Sequence, residues 1–308
     1  MLTAHELERY KRNMEIDGWG VAGQEKLKNT TVFVAGAGGS GSPTLTQLAL
    51  IGIGHIIICD YDDFAVSNMN RQFIHEVSSE DRISMNKAIS AQKTIAYINP
   101  NVKVDIYTEK ITRDNAMQMV GDAELLFDCV DNFLTKFILS ECAIKKNIPH
   151  MFAGMLDINA FACIFAPPLT PCFHCLFDYE KLSLLQEMQE YFARSPLQSG
   201  SMTVPACAPT LFACTGFLLG EAIKMLLGIG EPDYNKYTLI LQKASKSLAK
   251  TNGYQGVRFW NTEFFDKISL EQGFDWDIGW RGQIFEQILL RPDPNCKLCS
   301  DAVFDRKM

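Results

Sequence analysis

An apolar run that stops in a glycine-rich turn constrains this chain more than any other feature. Thr31-Val32-Phe33-Val34-Ala35 leads into Gly36-Ala37-Gly38-Gly39-Ser40-Gly41, and a helix-compatible stretch follows to residue 51. The run reads as a buried strand, and the glycines allow a tight turn with close approach of backbone N–H groups to a phosphate. A second apolar run, Ile56-Ile57-Ile58-Cys59, ends in Asp60, which is placed to bond a ribose hydroxyl. Taken alone, this pair reads as a site for NAD or FAD. The next cluster, Ser67-Asn68-Met69-Asn70-Arg71-Gln72-Phe73, changes that reading. Hydride chemistry has no use for an Asn/Arg/Gln cluster beyond the ribose acid, whereas a triphosphate does.

The 308 residues suffice for one large domain or two small ones. A net charge of −7 argues against bulk binding to nucleic acid. No uninterrupted apolar run reaches the roughly 18 residues of a membrane span, so none is expected. The opening Met1-Leu2-Thr3-Ala4-His5-Glu6 lacks a basic-then-apolar leader, and a cytoplasmic setting is expected. With ten cysteines in such a chain, paired CxxC spacing favours metal over disulfide.

Residues 3–28 read as a helical lead-in. Strands are expected at 30–35, 55–60, 102–107, 124–128 and 149–153, and helices at 41–51, 86–98 and 133–146, with a short helix between the third and fourth strands. Asn99-Pro100 stops the 86–98 helix. This alternation argues for a parallel sheet with helices on both faces. Residues 157–166 read as a further strand before Pro167-Pro168, 178–208 as a weakly patterned mobile loop, 209–227 as a strong apolar helix and Tyr237 to Leu241 as a strand. Residues 243–290 resist reading.

Arg71 presents a rigid fork of donors to phosphate oxygens, and Lys87, at a helix start, adds a second cation. Asp128-Cys129-Val130-Asp131-Asn132 closes the fourth strand, at the sheet edge where ligands of open parallel sheets bind. Asp131 is placed either as a Mg²⁺ ligand beside a triphosphate or as the cap of the helix near Phe133. Cys172-x-x-Cys175 and Cys296-x-x-Cys299 supply four thiolates, enough for a closed, structural zinc site. His174, inside the first knuckle, reads as exposed rather than as a ligand. Cys59, Cys129, Cys142, Cys163 and Cys214 read as core, and Cys207 as a small buried residue where the loop meets the late helix.

Together the glycine turn, Asp60, Ser67-Asn68-x-x-Arg71-Gln72, Lys87, Asp131-Asn132 and the paired CxxC resemble the ThiF/MoeB/HesA family, bacterial relatives of ubiquitin-activating enzymes. Arg9-Tyr10-x-Arg12, Gly23-Gln24-x-x-Leu27 and Gly220-x-Ala222-Ile223-Lys224 fit the same pattern. The resemblance implies ATP-dependent adenylation of a carboxylate, the C-terminus of a small ubiquitin-like carrier with a Gly-Gly tail, in a thiamin- or molybdopterin-type sulfur pathway. It implies a cofactor-binding set of Gly36, Gly38, Gly39, Gly41, Asp60, Asp62, Ser67, Asn68, Arg71, Gln72, Lys87, Asp131 and Asn132. The catalytic set is Arg71, Lys87 and Asp131, with Arg12 reaching ATP from the partner subunit of a homodimer. Asp131 would hold Mg²⁺, and Cys172, Cys175, Cys296 and Cys299 zinc.

The fold implied is a single α/β adenylation domain over 1–308. It is a Rossmann-like, mainly parallel sheet with helices on both faces, continuing into antiparallel strands, plus a Cys₄ zinc knuckle. Residues 1–28 form the lead-in, 29–166 the nucleotide-binding core, and 167–308 the crossover loop, late helix, strands and knuckle. Two departures stand out. The loop cysteine of many members falls near Ser201 here, and 178–206 contains no cysteine. The gap between knuckles is long, with 243–290 a diverged segment. An alternative acyl substrate is therefore a peptide C-terminus or a tRNA-base carboxylate. A dinucleotide-dependent oxidoreductase would leave Arg71, Lys87 and Asp131 without a task, and a non-catalytic partner subunit would not need them.

Overall fold

The computed structural model describes residues 1–75, 83–156, 159–166, 170–177 and 206–229, together with 296, 298 and 299. The expected crossover loop before residue 206, the strand from Tyr237 and the segment 243–290 lie outside them. The described elements run α1 (Ala4–Arg9), α2 (Lys11–Met14), α3 (Gly20–Asn29), β1 (Thr31–Ala35), α4 (Gly41–Ile51), β2 (His55–Cys59), a 3₁₀ turn (Val66–Asn68), α5 (Lys87–Ile98), β3 (Lys103–Tyr107), α6 (Ala116–Val120), β4 (Leu125–Asp128), α7 (Phe133–Lys146), β5 (His150–Leu156), β6 (Asn159–Phe165), α8 (Phe173–Leu176) and α9 (Ala208–Leu227).

Six strands form one sheet in the order β3-β2-β1-β4-β5-β6. All neighbours are parallel except β5 and β6, which pair antiparallel with Phe152 opposite Cys163. That order places the topological switch point between β1 and β4, the crevice where such sheets hold ligands. Alternation along the strands fills two cores. Val32, Val34, Ile56, Ile58, Leu125 and Phe127 face α4, α5 and α9 on one side. Phe33, Ala35, Ile57, Cys59 and Leu126 face α6 and α7 on the other. The cysteines read as core are buried, and burial pushes the Cys59 and Cys163 thiols up to about 12.

The helical lead-in is built from three helices, α1 to α3. Tyr10 leaves the helical path to bury its ring over Gly52, where its hydroxyl accepts from Asn99 Nδ2 at 2.7 Å. Trp19 is buried in turn, its indole N–H donating to Gln24 Oε1 at 3.2 Å. The strand expected at 149–153 runs on to Leu156, because its hairpin with β6 prolongs the ladder. Helix α9 is long and apolar enough to cross a membrane, but half of it is buried inside the fold. Leu211, Leu218, Leu219, Ala222 and Leu226 supply that buried face, so it reads as a core helix.

Candidate functional site

The glycine turn is wedged between the ends of β2 and β4. Gly36 adopts φ 91°, and its N–H donates to the Cys59 carbonyl at 2.8 Å. A Cβ there would stand 2.7 Å from the Cys129 carbonyl oxygen, and one at Gly41 would overlap the Gly36 carbonyl. These two glycines let the turn close and α4 start directly beneath it. Gly38 and Gly39 face side chains rather than backbone, and a Cβ at Gly39 would also press on Leu211 Cδ1 at 3.1 Å. A Cβ on either would lie 3.5 Å from Gln72 Nε2 or Arg71 Nε, respectively, so those side chains flank this part of the turn.

The segment carrying Arg71 and Gln72 is pinned to the turn from behind. The Ile74 N–H donates to Ser42 Oγ at 2.8 Å, and His75 Nε2 donates to the Ala37 carbonyl at 2.9 Å. Asn68 organises the segment: its side chain accepts from Ala65 N–H, and its carbonyl accepts from the N–H groups of Arg71 and Gln72. Ser67 is exposed, and its carbonyl accepts from Arg71 Nη1 at 3.1 Å. Arg71 also donates to Asn70 Oδ1 at 2.8 Å, and Asn70 Nδ2 donates to the Ala206 carbonyl beside α9. Burial lowers the Arg71 pKa. Gln72 is 3% exposed, and its Oε1 is buried without a hydrogen-bond partner.

Asp60 does more than face a sugar. Its Oδ2 accepts from Ala37 N–H at 2.7 Å and its Oδ1 from Asp62 N–H at 2.9 Å, tying the β2 exit to the glycine turn. Each oxygen keeps a lone pair for a hydroxyl donor. Burial raises the Asp60 pKa, with Lys87 and the two N–H groups opposing it. Lys87 Nζ lies 3.0 Å from Asp62 Oδ2. Asn86 braces both acids: its Oδ1 caps α5, and its Nδ2 donates to the Asp60 and Asp62 carbonyls. Sequence reasoning missed Asn86 and His75. An N-cap residue directly before Lys87 was the available sign of the first; nothing local marks the second.

Asp131 is exposed at the β4–α7 turn. The cap of α7 is Asn132, whose Oδ1 accepts from Thr135 N–H at 2.9 Å. This corrects the expectation that Asp131 might cap the helix, and it commits one Asn132 atom to structure. Burial, then the charges of Asp62, Asp131 and Asp60, raise the Tyr61 pKa, so these acids share one neighbourhood. Their hard oxygen donors beside the glycine turn suit Mg²⁺. Arg12 stands apart on α2, with its side chain 89% exposed and paired with Glu15 Oε2 at 2.9 Å. Cys207 is half-buried at the N-cap of α9, with its Sγ 3.2 Å from Thr210 Oγ1, rather than fully inside.

Beside α7, Cys172, Cys175, Cys296 and Cys299 bring their sulfurs within 4.8 Å of one another. The spacings of 3.5 to 3.7 Å for three pairs match a tetrahedron of thiolates around zinc, whose ~2.3 Å bonds set sulfurs ~3.8 Å apart. Among the described residues these four cysteines, none of them in a disulfide, form a group that could hold a metal ion. His174 is half-buried against the Phe137 ring at 4.8 Å rather than exposed.

The model of the ThiF family matches residues 10–253. A sulfur carrier protein adenylyltransferase of Thermus thermophilus is 34% identical over 241 residues, covering 75% of this chain and 81% of that one. An adenylyltransferase and sulfurtransferase MOCS3 of Drosophila sechellia is 31% identical over 236 residues, but the chain spans only 48% of its length. The crystal structure of E. coli MccB with ATP superimposes with a TM-score of 0.67 over 95% of this chain and 75% of that one; at 22% identity the likeness is one of fold. With a family match over most of its length and relatives named as adenylyltransferases, the chain belongs to the ThiF family.

Proposed function

We propose that this chain is an ATP-dependent adenylyltransferase for the C-terminal carboxylate of a small ubiquitin-like sulfur-carrier protein, activating it for sulfur transfer. The observation that carries the reading is the crevice at the switch point. Gln72 and Arg71 flank Gly38 and Gly39 of the turn, and Lys87, Asp60, Asp62 and Asp131 belong to the same neighbourhood. A dinucleotide site needs the turn and the acid but not these cations. The likeness to the Thermus carrier-protein enzyme, over four fifths of its length, supports the substrate class.

In this reading a carboxylate oxygen of the acyl substrate attacks the α-phosphorus. The new O–P bond forms as the bond to the β-phosphate oxygen breaks, and pyrophosphate leaves with the electron pair. No proton has to move, because nucleophile and leaving group are both already anionic. The work left to the protein is alignment and charge neutralisation. Arg71 and Lys87 supply positive charge, the Gln72 amide and the turn N–H groups supply donors, and Asp60 orients the ribose. Asp131, with Asp62 nearby, would hold Mg²⁺, which when bound offsets the charge of the departing pyrophosphate. Arg12, exposed on α2 and paired with Glu15, would exchange that partner for ATP of a neighbouring subunit in a homodimer. A cytoplasmic setting is part of the same reading.

ATP–pyrophosphate exchange tests the reading, with candidate carriers ending in Gly-Gly added one at a time. Exchange should require one carrier and fall about a hundredfold or more in Asp131→Ala. ATP binding without exchange for any carrier would overturn the carrier substrate. It would move the reaction to a peptide C-terminus or a tRNA-base carboxylate, a substrate class compatible with a 178–206 loop that lacks cysteine.

A further inference from the structure

Beneath the Asp131 turn lies a charged cluster that the reaction above does not use. Asp128, the last residue of β4, is fully buried. Its Oδ1 accepts from Val130 N–H at 3.2 Å and from Lys136 Nζ at 3.0 Å, and its Oδ2 accepts from His150 Nε2 at 3.0 Å. Lys136 comes from the first turns of α7 and His150 from the first position of β5, and both side chains are buried. Lys136 Nζ also sits 4.5 Å over the Phe152 ring. Burial works to raise the Asp128 carboxyl, but Lys136 and His150 outweigh it and hold it below the ordinary range.

A buried ion pair is a poor source of stability, since packed apolar groups of equal volume serve as well. Its geometry is better suited to holding a turn in place. Asp128 grips Val130 from below, while the Cys129 carbonyl packs against Gly36 and accepts from Ser40 Oγ at 3.5 Å. Cys129 and Val130 are therefore held between the cluster and the glycine turn, and the exposed Asp131 follows directly on the chain. We propose that Lys136 and His150, acting through Asp128, are positioning residues that set Asp131 at the nucleotide crevice. Neither touches the nucleotide. The inference rests on the reading of Asp131 as the Mg²⁺ ligand.

Calorimetric titration of ATP, with Mg²⁺ and separately in EDTA, reads this without any acyl substrate. Wild type should bind ATP about tenfold more tightly with Mg²⁺. Lys136→Met should keep its affinity in EDTA to within about threefold yet lose most of the Mg²⁺ enhancement, and Lys136→Arg should restore it. Should Lys136→Met fail to fold, His150→Phe against His150→Gln poses the same question, with loss expected in the first and retention in the second. Undiminished Mg²⁺ enhancement in the uncharged variants, or an equal loss of affinity in Mg²⁺ and EDTA, would overturn the positioning role. A wild type that binds ATP equally well without Mg²⁺ would also overturn it, leaving adenylation to be judged by exchange. Failure of wild type to bind ATP at all would sink the nucleotide reading and this inference with it.

Discussion

Gln72 shows how a single residue declares a task. Its carboxamide oxygen is buried with no partner, and leaving such an acceptor unsatisfied costs about 1–3 kcal/mol. In the proposed reading a hydroxyl or amino donor of the bound nucleotide would complete that bonding. Gln72→Met should therefore leave unfolding free energy unchanged or raise it by about 1 kcal/mol, while ATP affinity falls about tenfold or more. Denaturant unfolding and nucleotide titration on the same preparation check both halves. A loss above about 2 kcal/mol would make the amide structural instead. Arg71 illustrates the opposite case: its donors already hold Ser67 and Asn70, so it is preset beside the turn rather than waiting in solvent.

Among the elements, the short helix α1 rests on one buried acid. Thr3 and Glu6 cap it reciprocally, and Lys28 of α3 lies 2.8 Å from Glu6 Oε2. Burial alone would raise the Glu6 carboxyl, but Lys28 and the Thr3 N–H outweigh it and pull it down to about 2. A carboxylate held below its unfolded value stabilises the fold above that value and loses the contribution as it protonates. The stability difference between wild type and Glu6→Gln should be full above pH about 4.5 and shrink steadily towards pH about 2. Thermal unfolding across that interval measures it; a difference independent of pH would mean the ion pair contributes nothing. The loss matters beyond α1, because the same lead-in carries Tyr10 under Gly52 and presents Arg12.

For the whole molecule, the Cys₄ cluster joins residues 124 positions apart. The first knuckle also anchors an aromatic core, where Phe173 packs on Phe137, Phe152 and Phe177. Closing so long a loop with a metal should stabilise the native state substantially. Chelation, or Cys296→Ser, should lower Tm by at least ~5 °C, and Cys172→Ser with Cys296→Ser should cost little more than either alone. Calorimetry with a zinc assay checks this; protein free of zinc and indifferent to chelator would remove the metal from the account. Much of this architecture was legible in the chain itself. Continuous apolar runs and glycine punctuation place β1, α4 and β2 to within a residue, and the doubled CxxC announces the four thiols, because those patterns act over a few neighbouring residues. Asp60, Lys87 and Asp131 could be proposed from sequence because they flank the ends of such elements, and Arg71 because it lies in a polar cluster just after β2. The partners that hold them could not. His75 on Ala37, Asn86 bridging two carbonyls, and Lys136 with His150 on Asp128 are contacts between segments whose spacing carries no period. The sequence alone determined the parallel nucleotide-binding sheet and the residue types along its edge. Only the tertiary structure decided which of those side chains are clamped, which are exposed and which are left with an unpaired atom, since burial and hydrogen-bond partnership exist only once distant strands and helices have packed.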